Sequence, residues 1–208
     1  MLRELVEVAG RFQAAGQLPP VAYKPRRPRW IVNLTQRPSG GAHLEGPYQG
    51  SEIQAFPSPD RQRSGVPSET NCKPYLLVDD ARYVFGKPEP GREEEAQLLH
   101  RGYFALLDEA CEVTGLAELR AVRDFLASPE AGLVAEHVEP RDMVAFRVDG
   151  KDPAAIPEVQ RFWAGYLANE LSLAERAQCG VCGGEGQVLR ILPREVVILG
   201  QKCQIISF

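Results

Sequence analysis

Residues 73–86 read Lys-Pro-Tyr-Leu-Leu-Val-Asp-Asp-Ala-Arg-Tyr-Val-Phe-Gly. A compact apolar run at 75–78 is followed by two acids and by a second run, 82–85, that ends at a glycine. Two short apolar runs on either side of polar turn residues are typical of a β-hairpin. The sequence therefore predicts a strand at 75–78, a turn at Asp79 and Asp80, and a return strand at 82–85.

Short strand patterns recur on both sides of this stretch, each next to turn residues. They are predicted at 30–34, 42–44, 143–148, 187–192, 195–199 and 203–208. Residues 45–74 are rich in Gly, Pro and polar side chains and have no helical period, which predicts a long, mostly irregular excursion.

Helical periodicity is strongest in the middle of the chain. Amphipathic helices are predicted at 2–15, 93–110, 116–127 and 158–173. Helices and short strands mix without β-α-β alternation, so we expect the α+β class: short antiparallel strands and hairpins with a helical middle region.

Charge divides the chain in a way that the total conceals. The 208 residues carry 24 basic and 28 acidic side chains, yet residues 1–74 have a balance of +4 and residues 75–178 one of −9. This pattern predicts a basic, Pro-rich, β-containing part at 1–90, an acidic helical part at 91–178 and a short β-like segment at 179–208. Because the last segment stops on an apolar run, we expect it to continue in a longer chain.

Several classes of function are disfavoured by what the sequence lacks. No apolar run approaches the ~20 residues of a membrane helix, and the N-terminus has no signal-peptide core, so we expect a cytoplasmic protein without a membrane partner. Phosphate-loop, dinucleotide-binding, nucleophile-elbow and zinc-protease motifs are absent, and the three histidines are scattered. We therefore predict no enzyme, no catalytic residue and no cofactor.

Cys179 and Cys182 have the spacing of half a zinc knuckle. Tetrahedral zinc needs four ligands, and no second pair is present in the sequence, so no metal site is predicted. A turn with reduced thiols is favoured, while a zinc protein and a disulfide or redox pair remain alternatives.

The segment from Asp60 to Tyr75 combines cations, neutral hydrogen-bonding groups, a glycine and an aromatic ring. Cations hold phosphates, whereas amides and hydroxyls suit base edges. A second basic cluster, at 24–29, precedes the strand at 30–34. The candidate DNA-binding residues are Arg61, Gln62, Arg63, Ser64, Thr70, Asn71, Lys73 and Tyr75 of the first segment, and Arg26 and Arg27 of the second.

The order of these patterns resembles the N-terminal part of the large subunit of the type I-C CRISPR surveillance complex, Cascade. The block at 73–86 is the most specific piece; Val144-Ala-Phe-Arg-Val-Asp-Gly150, a Trp-bearing helix and Cys179-Gly-Val-Cys-Gly follow in order. The resemblance covers nearly the whole chain and implies an N-terminal fragment of a longer protein. That family usually has Thr where Cys182 stands, which makes zinc less favoured.

The resemblance implies a role in target recognition. Such a subunit reads the protospacer-adjacent motif on double-stranded DNA, helps to open the duplex and receives a helicase-nuclease, and is not itself a nuclease. Its expected partners are double-stranded DNA, the other Cascade subunits with the crRNA, and that helicase-nuclease. An alternative from another class is a protein–protein interaction scaffold, in which the acidic middle of the chain docks a basic partner.

Overall fold

The computed structural model describes residues 4, 7–8, 11–12, 22–36, 41–50, 52–53, 55–61, 63, 65–172, 176–178, 185–187, 196–198 and 201–203. The strands are β1 (Tyr23–Arg26), β2 (Trp30–Leu34), β3 (Ala42–Glu45), β4 (Phe56–Pro59), β5 (Val78–Asp80), β6 (Met143–Val148), β7 (Arg176–Gln178), β8 (Glu185–Gln187), β9 (Val196–Ile198) and β10 (Gln201–Cys203). The helices are α1 (Ala81–Val84), α2 (Glu93–Thr114), α3 (Ala117–Leu126), α4 (Pro129–Ala135) and α5 (Pro157–Ser172), with a 3₁₀ turn at Pro153–Ala155. Short strands and a helical middle region confirm the α+β class.

The largest sheet has four strands in the order β3-β2-β6-β5. Its two outer pairs are antiparallel, whereas β2 and β6 run parallel, with Trp30 opposite Val144 and Leu34 opposite Val148. The strands predicted at 30–34, 42–44 and 143–148 are confirmed. Because β6 comes from the predicted acidic part, the sheet joins that part to the basic one; the division at residues 90 and 178 itself stays a prediction.

The hairpin predicted at 75–85 is wrong. β5 covers only Val78–Asp80 and pairs with β6, and the run after it is the short helix α1. Asp80 is the N-cap of α1, and its carboxylate accepts a hydrogen bond from Arg82 N at 3.2 Å. Aspartate is a preferred N-cap residue because its side chain satisfies an amide that has no partner within the helix. The acids that indicated a turn therefore end a strand and start a helix.

The excursion predicted at 45–74 is partly ordered as a strand. β4 pairs antiparallel with β1, and Pro25 lies opposite Pro57. Neither proline has an N–H to donate, so these residues occupy a position of the ladder that needs no hydrogen bond. Prolines are tolerated at the edges of sheets, and both strands of a two-stranded ribbon are edges. The prolines that argued against a strand are thus compatible with this one.

The long helices match the predicted patterns. α2 is followed by its C-cap, Gly115, which adopts the left-handed conformation with φ 67°. Each helix buries one apolar stripe: Leu99, Tyr103, Leu106, Leu107 and Ala110 in α2, and Leu119, Val122, Phe125 and Leu126 in α3. Tyr103 of α2, Trp163 of α5 and Phe146 of β6 are among the largest buried side chains. The Trp163 indole donates to the Ala22 carbonyl at 3.0 Å, which fixes α5 to the start of β1.

Both ends of the chain are described only in part. β7 pairs with β8 and β9 with β10, each antiparallel. Much of the helix predicted at 2–15 and of the runs predicted at 187–192, 195–199 and 203–208 lies outside the described residues. Within the described part of the chain, no helix has both the length and the hydropathy to cross a bilayer.

Candidate nucleic-acid interface

Four side chains form a column in which guanidinium groups and aromatic rings alternate. The guanidinium carbon of Arg26 lies 3.7 Å from the centre of the Tyr75 ring, and that of Arg63 lies 3.6 Å from the same centre. Two guanidinium groups cannot share one ring face at such distances, so they cover opposite faces. Arg63 also lies 4.0 Å from the centre of the Tyr83 ring. We call Arg26, Tyr75, Arg63 and Tyr83 the Arg–Tyr column; each contact in it is a cation–π interaction.

The charge of Arg63 is neutralised inside the protein. Its guanidinium forms an ion pair with Asp79, which is fully buried, and its Nε donates to the Lys73 carbonyl at 2.7 Å. Asp79 also accepts from the amide of Tyr75 at 2.7 Å. Burial raises the pKa of Asp79 to about 6, against the opposing effects of the Arg63 charge and the Tyr75 amide.

Two further arginines of the predicted DNA-binding set are also paired internally. Arg26 pairs with Asp60, and Arg61 pairs with Glu170 of α5. The Arg61 side chain is only 4% exposed. A phosphate would have to compete with a carboxylate for each of these guanidinium groups. Their assignment as DNA ligands stays a prediction.

Residues 65–72, which we call the tip, project polar side chains into solvent. Ser68 and Thr70 are exposed and their hydroxyls lie 3.3 Å apart. The Asn71 side-chain amide donates to the Val66 carbonyl at 3.0 Å, and its backbone amide donates to Ser68 O at 3.0 Å. The loop is therefore cross-linked by its own hydrogen bonds while hydroxyls remain at its surface. Gln62 and Ser64 lie outside the described residues.

The base of the tip is packed on α2. A Cβ added at Gly102 would overlap the Cys72 sulfur, so the absence of a side chain there permits the close approach. The Cys72 thiol also lies 3.9 Å from the carbonyl oxygens of Leu98 and Leu99. The tip is thus fixed at one end by α2 and at the other by the Arg–Tyr column.

A polar cavity of about 250 Å³ lies between the tip and the start of the helical region. Its lining includes Arg63, Asn71, Lys73 and Arg82. Arg82 is held by Asp80 through two hydrogen bonds of 2.9 and 3.0 Å. Lys73 forms no ion pair with any described residue, so among the cations of this lining it is the one available to an anion.

A second cavity, of about 430 Å³, brings Arg141 next to two arginines that are distant from it in the sequence, Arg27 and Arg29. Sequence reasoning identified Arg27 but missed Arg141, which belongs to the acidic part. The pairing of β2 with β6 places them together, since Arg29 N donates to Met143 O at 2.8 Å. No local signal in the sequence indicates a parallel pairing between strands so far apart.

No cluster of three or more His, Cys, Asp or Glu suited to a metal occurs among the residues that the structure describes. His100 and His137 each lie 3.0 Å from a backbone carbonyl, of Tyr83 and Leu133 respectively. Cys179 and Cys182 fall outside the described residues, so the zinc and redox alternatives remain hypotheses.

One family model matches almost the whole chain. Residues 5–208 match the family described as CRISPR-associated protein (Cas_Csd1). Among curated proteins, none matches the chain.

Proposed function

The chain belongs to the Cas_Csd1 family of CRISPR-associated proteins, and from that premise we propose that it is a non-catalytic DNA-recognition module of a Cascade complex. In this role it reads the protospacer-adjacent motif on target double-stranded DNA, supports duplex opening and recruits the helicase-nuclease. The complex is of type I-C, the chain is the N-terminal part of its large subunit, and it works in the cytoplasm with the other subunits and the crRNA.

The observation that carries this proposal is a polar tip on a fixed base. Its exposed hydroxyls, Ser68 and Thr70, stand between the Arg–Tyr column and the contact of Cys72 with α2. A loop that is already ordered loses less conformational entropy when it binds, and its hydrogen-bonding groups keep one arrangement. An ordered loop is therefore better suited to reading base edges than a flexible loop is.

The side chains of the tip and of the residues that flank it have different roles, set by their chemistry. Lys73 supplies a cation that pairs with no acid in the described part of the chain and holds a phosphate, while Thr70 and Asn71 face base edges as hydrogen-bonding groups. Gln62 and Ser64 complete the proposed set. Contacts in the minor groove separate A·T from G·C but little more, which would give a degenerate motif preference.

The test is binding to a duplex library with randomised flanking trinucleotides at two salt concentrations. We expect the unmodified chain to select a subset of sequences, and Thr70→Ala to relax selection at one position, at a cost of about 1–3 kcal/mol. Lys73→Ala keeps the carbonyl that Arg63 needs, so it should weaken all sequences alike and lower the salt slope by about 1.

Two matched controls lie on other surfaces. Thr35→Ala and Lys151→Ala remove the same groups from exposed positions and should leave selection and slope unchanged. If Thr70→Ala and Lys73→Ala behave like these controls, the tip is not the recognition surface.

A second candidate function, the scaffold, has an observation of its own. Val113 and Leu133 are large apolar side chains on the acidic helices, and they are 67% and 62% exposed. Exposed apolar groups on a helical region with a net negative charge suit a basic protein partner. Under this alternative, Val113→Asp and Leu133→Asp would weaken assembly with the remaining Cascade subunits and leave DNA binding unchanged.

A further inference from the structure

The cavity lined by Arg27, Arg29 and Arg141, which we call the basic concavity, has a cationic rim and a partly apolar wall. Ile53 and Met143 contribute apolar side chains to that wall. An apolar surround strengthens the attraction between a guanidinium group and an anion because it lowers the local dielectric constant. The basic concavity therefore attracts an anion whose charge is spread over several atoms more strongly than an isolated arginine on an open surface does.

The arginines of the rim are more accessible than those of the Arg–Tyr column. Arg27 is exposed and pairs with no acid among the described residues. The Arg141 side chain is 73% exposed and pairs with Glu89, which is not part of the lining. The Arg29 side chain is 49% exposed and lies 3.4 Å from Asp142.

Asp142 does not neutralise the site. It is the one acid of the lining, against three arginines. Its carboxylate also accepts from the Trp30 indole at 2.8 Å and from the Glu139 amide at 3.0 Å. These two donors hold Asp142 in place. The lining residues have an excess of two positive charges, which falls to one when Glu89, the ion-pair partner of Arg141 outside the lining, is counted.

Contacts between neighbouring segments connect the surroundings of the basic concavity with those of the polar cavity beside the tip. Arg26 stacks on Tyr75, and the next residue, Arg27, lines the basic concavity. On the other side, Arg82 lines the polar cavity, and its amide donates to Pro140 O at 3.1 Å, next to Arg141. The two cavities are therefore lined by segments that contact each other.

We propose that the basic concavity binds the phosphodiester backbone of a nucleic acid, with Arg27 and Arg141 as its phosphate ligands. The inference rests on the proposed function and adds to it a contact that reads no sequence. The planar guanidinium fork matches two phosphate oxygens at once, which favours phosphate as the ligand. Arg29 forms an ion pair with Asp142, so it has a positioning role and is not one of the phosphate ligands.

The test compares the double variant R27A/R141A with R120A/R161A. The control removes one exposed arginine without a described ion pair, Arg120, and one that is 74% exposed and paired with a glutamate, Arg161. Binding to a labelled DNA duplex of random sequence is titrated against salt. We expect R27A/R141A to bind about tenfold more weakly or worse at low salt, with a salt slope lower by about 1.8.

Two further arms separate the possible outcomes. The preference for selected over unselected duplexes should be unchanged in R27A/R141A, because its contacts lie on the backbone. A single-stranded RNA probe tests the other source of phosphodiester: a loss confined to RNA would assign the site to guide RNA and leave the proposed reading of duplex DNA to the Thr70→Ala experiment.

The proposal is overturned if R27A/R141A keeps the slope of R120A/R161A with both probes; the proposed function then still stands or falls on the tip variants. If the unmodified chain binds neither probe with a salt slope, both proposals fail together. The variant R27K/R141K retains the charges without the forks, so it should keep the slope and lose only part of the affinity.

Discussion

Arg26 and Arg27 are neighbours in the sequence but lie in opposite environments. Arg26 is stacked on Tyr75 and paired with Asp60, with a side chain only 13% exposed, whereas Arg27 is exposed at the rim of the basic concavity. Exposure alone separates Arg61 and Arg63 from Arg141: all three pair with a carboxylate, but the Arg141 side chain is 73% exposed. Neighbouring arginines of one basic segment thus have two roles: buried ones stabilise the fold, and exposed ones contribute a positive electrostatic field outside the protein.

The physical reason is the cost of burying a charge. A guanidinium group taken out of water needs a carboxylate and hydrogen bonds to offset its lost solvation. Arg26, Arg61 and Arg63 each have such a carboxylate, on Asp60, Glu170 and Asp79. A count of charges along the sequence therefore overstates the basic surface of residues 1–74 and misses Arg141, which adds to that surface from the acidic part.

The largest effect should come from the centre of the column. Arg63→Met keeps the bulk between the two tyrosine rings but leaves Asp79 buried without its partner, so we expect the free energy of unfolding to fall by about 3–5 kcal/mol at pH 7. The measurement is urea unfolding. Arg27→Met, the same change on the exposed side, should stay within about 0.5 kcal/mol.

The double variant R63M/D79N separates charge from packing. It removes both members of the pair, so it should be more stable than R63M alone. If Arg63→Met costs no more than Arg27→Met, the two environments do not differ in energy and the comparison fails.

A smaller effect follows from the pKa of Asp79. Because burial raises that pKa from 3.8 to about 6, the folded state binds more protons than the unfolded state between these values. The stabilisation by this group is complete below about pH 4 and is lost as the pH rises through 6. Relative to Asp79→Asn, the wild type should lose stability by up to about 1.4 kcal/mol per pH unit in this window.

Unfolding of both proteins from pH 4 to pH 7 checks this sign. The difference between them should level off above pH 6, where Asp79 is ionised in both states. A difference that rises with pH across the window would show that the Arg63 pair outweighs burial.

The smallest effect concerns the ring between the two arginines. Tyr75→Leu removes the aromatic face from both Arg26 and Arg63 and should lower the free energy of unfolding by about 1–2 kcal/mol. Tyr75→Phe keeps the ring, so its unfolding midpoint should match the wild type. Equal losses in the two variants would assign the contribution of Tyr75 to its hydroxyl and not to the column.

The sequence predicted the helices well and the strands unevenly. α2 and α5 each repeat their apolar positions over several turns, and only a helix satisfies such a pattern. A run of four residues such as 82–85 is compatible with a strand or with one helical turn, and the hydrogen bond from Arg82 N to Asp80 favours the second. That bond depends on the direction of one carboxylate, which local composition does not determine.

The candidate site was predictable in outline and not in arrangement. The sequence located the cations and the polar tip, because residue types are visible in it. It did not show that Arg63 points inward, since its partner Asp79 belongs to a strand whose face is set by the sheet. The join between Arg29 and Arg141 depends on the pairing of β2 with β6, which local patterns do not encode.

The parallel pairing of β2 with β6 also orders events during synthesis. β3 can pair with β2 as soon as both leave the ribosome, but the other edge of β2 stays open until β6 follows, more than a hundred residues later. Contacts of such long range form slowly, and an unpaired strand edge is a template for aggregation. β4, which completes the β1–β4 ribbon, and α1–α4 all emerge within this interval, so the nascent chain has to keep an apolar strand edge protected until β6 closes the sheet.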